Sequence, residues 1–175
     1  MRYLTGVLIA ASLFSGVVVY GQQLGGTAIP NESVRFHATL SAQEKQHVLD
    51  GSCSVIASTK AMPQSLRNGF AKVTREQKFE LADPGKRYQE TDVIIFPGLP
   101  RRRLVFAGSC GERWFIHYEK GGIGHSYEVL IFAADGKGEM PFVWGGVGFY
   151  RAKDMDELRR VIAAGEFADD REYYW

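Results

Sequence analysis

The sequence lacks the features that usually announce a reaction. It has only two cysteines in 175 residues, and they lie far apart, at Cys53 and Cys110. A zinc site built on short Cys spacing is therefore not expected. There is no His-Glu-x-x-His, no Gly-x-Ser-x-Gly, no glycine-rich phosphate loop before a lysine and no calcium-loop pattern. Charge of one sign is missing too, because 21 Lys and Arg stand against 20 Asp and Glu. A near-neutral chain lacks the positive excess that nucleic acid and anionic membranes reward, so neither is expected as a partner. No internal repeat and no low-complexity tract is present, and only one apolar run is long enough to interact with a bilayer.

That run begins just after Arg2 and carries no charge from Leu4 to Tyr20. A short positive start followed by such a stretch reads as a secretory signal covering residues 1–21, with Val19 and Gly21 as the small residues before the cut. The alternative is an uncleaved N-terminal membrane anchor, since the run sits at the lower edge of the ~17–25 residues that span hydrocarbon. The signal is preferred because no basic cluster follows the run. The expected compartment is secreted or periplasmic, with no stable membrane insertion after cleavage. The Gly-, Pro- and Gln-bearing stretch 22–32 reads as a flexible tether, and residues 33–168 suffice for one domain with a proper core.

In an exported chain two cysteines usually pair, so a Cys53–Cys110 disulfide is expected; the alternative is two separate buried thiols.

Short elements follow one another along the domain. Val34, Phe36 and Ala38 alternate with polar residues as a short strand would. Ser41 with Glu44 three residues on is a capping box, with Gly51 placed to end that helix. Pro63 suits the first turn of a second helix, with Leu66, Phe70 and Val73 at helical spacing. Gly69 weakens that helix by about 1 kcal/mol relative to Ala. Strand patterns are read at Tyr88–Phe96, Leu104–Ala107, Trp114–Glu119, Ser126–Phe132 and Phe142–Trp144. Pro141 cannot donate to a ladder, which puts the last strand at or near an edge. Asp154 caps a final helix whose stripe is Met155, Leu158, Val161 and Ile162, with Gly165 at the stop and Arg159 and Arg160 facing away. The short loops imply an antiparallel meander of about five to six strands. The fold class is α+β, with the helices packed on one face of the sheet. An acidic and aromatic tail, residues 169–175, closes the chain.

Chemistry concentrates on one hairpin, His117-Tyr118-Glu119-Lys120-Gly121-Gly122-Ile123-Gly124-His125-Ser126-Tyr127. Imidazole and carboxylate groups make a potential acid–base pair, assigned to His117 and Glu119. Arg103, Gly121, Gly122, His125, Ser126 and Tyr127 are the candidate ligand contacts, with the glycines allowing close backbone approach. Register decides which of these meet. A four-residue loop pairs Lys120 with His125 and puts the two histidines on opposite faces. A three- or five-residue loop puts His117, Glu119, His125 and Tyr127 on one face. The first is preferred, because it aligns Trp114, Ile116, Tyr118, Tyr127, Val129 and Ile131 in one apolar surface.

Arg101-Arg102-Arg103 offers guanidinium groups for phosphate or carboxylate, but reads first as a solvated strand entrance. An arginine beside His117 and Glu119 would complete a Glu/His/Arg set of the kind that secreted phosphodiester-cleaving enzymes use, although no local spacing matches them. The leading expectation is an exported, non-enzymatic domain that binds a small molecule or a protein. The alternative is a small secreted hydrolase using His117 and Glu119. No cofactor and no metal is expected.

Overall fold

Capping chemistry sets the helices where the sequence places them. The structure, a computed structural model, describes residues 39–94 and 96–169. The expected signal, the tether, the strand at Val34–Ala38 and the tail after Asp169 lie outside the described residues. Helix α1 (Ala42–His47) opens on the Ser41 capping box: the Glu44 amide donates to Ser41 Oγ and the Ser41 amide donates to the Glu44 carboxylate. Gly51 stands beyond the end of this helix, in the turn that leads into β1 (Cys53–Ile56), where its φ of 89° suits a residue without Cβ. A short 3₁₀ turn (Thr59–Ala61) precedes α2 (Gln64–Val73). Helix α3 (Met155–Ala163) is capped by Asp154, which accepts from the Glu157 amide at 2.9 Å.

Between α2 and α3 run β2 (Arg102–Cys110), β3 (Arg113–Lys120), β4 (Ser126–Ala133) and β5 (Phe142–Gly148). All neighbours are antiparallel in the order β1-β2-β3-β4-β5. The fold is thus α+β around a five-stranded meander, with β5, which follows Pro141, last in the order. The segment 88–96, expected as a strand, is not one over its described residues, 88–94 and 96. Val93, Ile94 and Phe96 are exposed, so their apolar character does not come from burial in a sheet.

The helices were expected on one face; they cover both. Leu66, Phe70 and Val73 of α2 pack with Leu104, Ile116, Tyr118, Leu130 and Phe132. On the other face Leu158, Val161 and Ile162 of α3 pack with Phe106, Phe115, Val129, Ile131 and Trp144, and Leu49 after α1 joins them. The reason is visible in β4, where Val129, Leu130, Ile131 and Phe132 are apolar without alternation. Such a strand must be covered on both sides. Gly69 is where α2 touches the sheet: a Cβ there would stand 3.0 Å from Met140 O and 3.2 Å from the Phe132 ring. The helical cost of this glycine is offset by close packing. Truncating the buried Leu158 to Ala is expected to cost ~2–5 kcal/mol, read from the shift in a urea unfolding midpoint. A loss below ~1 kcal/mol would contradict the packing of α3 on the sheet.

Two-sided burial also overturns the preferred hairpin register. Lys120 pairs with Ser126, Glu119 with Tyr127 and His117 with Val129, leaving a five-residue loop, Gly121–His125. The apolar-surface argument fails because both faces are apolar, so an apolar stripe on one face does not choose between the registers.

Cys53 and Cys110 are direct partners across β1 and β2 and form the expected disulfide. Arg159 of α3, expected to face away, folds over it. Its guanidinium donates to Leu49 O at 3.0 Å and lies 3.0 Å from Cys53 Sγ.

Candidate functional site

Strand alternation sends Arg102 and Arg103 to opposite faces of β2, and Arg101 stands just before the strand. Arg101 is exposed. Arg102 is buried on the α2 face and paired with Glu76, so it is not part of a solvated entrance. Arg103 lies on the α3 face and donates from Nε to Glu119 Oε1 at 2.5 Å.

Glu119, buried on β3, is the centre of that second cluster. Tyr88 donates its hydroxyl to Glu119 Oε2 at 3.3 Å, and His125 Nε2 lies 3.2 Å from the same oxygen. The Arg103 guanidinium stacks 4.4 Å over the Tyr88 ring, and the His125 ring sits 5.1 Å from that of Tyr127. Burial and the neighbouring Glu119 charge hold the Tyr88 hydroxyl well above the ordinary phenol range. A Glu/His/Arg set therefore exists, with His125 as its histidine.

His117 belongs elsewhere. It is fully buried, its Nδ1 lies 2.9 Å from the Glu128 carbonyl and its Nε2 accepts from the Ala152 amide at 3.2 Å. A carbonyl only accepts, so Nδ1 carries the proton and Nε2 is bare. Both contacts suit one neutral tautomer. Burial pushes the imidazole down to about 4. This geometry makes His117 a buried tie between β4 and the segment before α3.

On the opposite face Glu128 is buried beneath the hairpin. Tyr118 donates its hydroxyl to Oε2, Ser126 Oγ donates to Oε1 at 3.2 Å, and Lys120 Nζ lies 4.0 Å away. Burial raises the Glu128 carboxyl. Lys120 is lowered by burial first, and by the Arg102 and Arg101 charges against the opposing pull of Glu128.

Above Ser126 and Lys120 opens a cavity of about 860 Å³. Its walls are the glycine loop on one side and the segment around Gln89, Asp92 and Ile94 on the other, with Val147, Gly148 and Phe149 closing the β5 end. The two walls are tied by the Gly122 amide, which donates to Glu90 O at 3.2 Å. Gly121 permits this approach, since a Cβ there would meet Gln89 O at 2.1 Å. Ile123 is 99% exposed, Phe149 85% and Ile94 60%, so the lining residues include an exposed apolar group.

The sheet thus divides the candidate contacts. Gly121, Gly122 and Ser126 line the cavity; Arg103, Glu119, His125 and Tyr127 form the cluster on the other face. Sequence reasoning read Arg101 first as part of a solvated strand entrance and missed Lys120, Asp92, Ile94 and Phe149 as cavity residues. The available signal was Pro97-Gly98 directly after the apolar run, which the strand reading absorbed.

Among the described residues, no group of three His, Cys, Asp or Glu could hold a metal ion, and no helix is long and apolar enough to cross a membrane. No family model, no curated protein and no solved structure matches this chain.

Proposed function

We propose that the chain is an exported domain that binds a small molecule in the cavity between the Gly121–Gly124 loop and the segment around Ile94. The observation that carries this reading is the cavity itself: about 860 Å³, within the ~300–1,000 Å³ usual for ligand sites, with apolar walls and a few polar groups at its floor. Exposed apolar side chains at the same place favour a ligand over open solvent. The Cys53–Cys110 disulfide and the lack of a membrane-crossing helix among the described residues are compatible with an extracellular setting.

The hydrolase reading now rests on Glu119 with His125, whose ring is half-exposed. It is the weaker of the two. Both Glu119 oxygens are already engaged, by Arg103 and by Tyr88 and His125. Neither Glu119 nor His125 lines the large cavity.

The test uses N-phenyl-1-naphthylamine, a neutral dye that fluoresces in apolar sites, and a variant that fills the cavity. Gly124→Trp is suited to this, because a Cβ at Gly124 meets nothing within 4 Å and its φ lies outside the region that strains other residues. Wild-type protein is expected to bind the dye, and Gly124→Trp to bind it about tenfold more weakly or worse, a loss of ~1.4 kcal/mol. Equal binding by a folded Gly124→Trp variant would place the dye elsewhere and contradict the reading.

A further inference from the structure

The polar groups of the cavity are not balanced in charge. Arg101 and Lys120 both line it, and Asp92 is the one carboxylate among the lining residues. Asp92 Oδ1 is turned toward Gly122, 3.0 Å from where a Cβ would stand on that residue. Lys120 Nζ lies 4.0 Å from Glu128, which is fully buried and does not line the cavity. Lys120 is mostly covered, and burial first, then repulsion from Arg102 and Arg101 against the pull of Glu128, holds its ammonium below the usual lysine range. An anion arriving between Arg101 and Lys120 would relieve that repulsion, and the Ser126 hydroxyl stands at the same floor. Beside these groups are the apolar side chains of Ile94, Ile123 and Phe149. Charge is thus placed beside an apolar surface, which is the complement of an amphipathic anion.

We infer that the ligand is a medium-chain carboxylate or a molecule of that chemistry, its headgroup between Arg101 and Lys120 and its chain along Ile94, Ile123 and Phe149. This rests on the binding reading above and adds the ligand class to it. Arg101 is the residue through which to test it, because it is exposed and a surface substitution is expected to change stability little. Lys120 is unsuitable, since its loss would leave Glu128 buried without its cation.

The experiment is competition against N-phenyl-1-naphthylamine by three probes that share a chain length: decanoate, decanol and decyltrimethylammonium, at neutral pH. Decanoate is expected to displace the dye about tenfold more effectively than either of the others, and Arg101→Gln to remove most of that preference. Direct calorimetry with decanoate accompanies it. Should decanol match decanoate, or the cation compete best, while the dye still binds, the headgroup assignment is overturned and the binding reading stands. If the dye does not bind and decanoate gives no heat, the binding reading itself falls.

Discussion

Replacing both cysteines, Cys53→Ser with Cys110→Ser, is expected to lower the unfolding free energy by about 4 kcal/mol, the loop-entropy value for a bridge that closes a loop of this size. The two residues are 57 apart in sequence, and everything from β1 through α2 to β2 lies inside the loop they close. The bridge also holds β1 on β2 at the end of the strand order, where β1 has no other strand partner among the described residues. A short edge strand of four residues contributes little pairing of its own. Urea unfolding of the wild type and the double variant, compared at the same pH, gives the difference directly. Adding reductant to the wild type should reproduce it. A difference under ~1 kcal/mol would mean that β1 is held by its packing alone.

The second large effect concerns His117 and acid. Its pKa is about 4 in the folded protein against 6.5 when unfolded. The folded state therefore binds fewer protons between these values. The stability this group allows is complete above pH 6.5 and is lost as pH falls from 6.5 to 4. The fall from 6.5 to about 4 corresponds to about 3 kcal/mol. Glu128 acts in the opposite direction, because its raised carboxyl takes up a proton more readily when folded. The wild-type curve alone thus mixes two opposed terms, and the comparison must be with His117→Gln, which keeps a donor and an acceptor but does not titrate. The variant is expected to be less stable at pH 7, yet its stability should fall less steeply, by ~1.4 kcal/mol per pH unit, between 6.5 and 4. Parallel curves for the two proteins would show that His117 is protonated in the fold and that the Ala152 contact is misassigned.

Local signals in the sequence were enough for much of the fold. The capping residues Ser41 and Asp154 and the stripe on α3 each act over a few residues, and each appears as its chemistry implies. Register and facing were not legible, because they depend on what lies on the second side of the sheet. The run Val129–Phe132 says that a strand is buried but not which neighbour it pairs with. The same limit applies to the site. Glu119, His125 and Arg103 were all visible as chemical groups, but their meeting needs the five-residue loop and the Arg103↔Glu119 register. His117 looked like an acid–base residue for want of any sign that Ala152 would cap its second nitrogen. The cavity was least legible of all, since its far wall is a segment whose apolar run imitates a strand.

The central claim is that the loop-side cavity, and not the Arg103–Glu119–His125 face, is where the protein meets its ligand. Amide chemical shifts recorded while decanoate is titrated into isotope-labelled protein test it most directly. The account predicts saturable shifts at Gly121, Gly122, Gly124, Ser126 and Gly148, with Arg103 and Tyr88 little changed. Shifts concentrated at Tyr88, Arg103 and His125 with the loop glycines unmoved would contradict it and return the site to the opposite face.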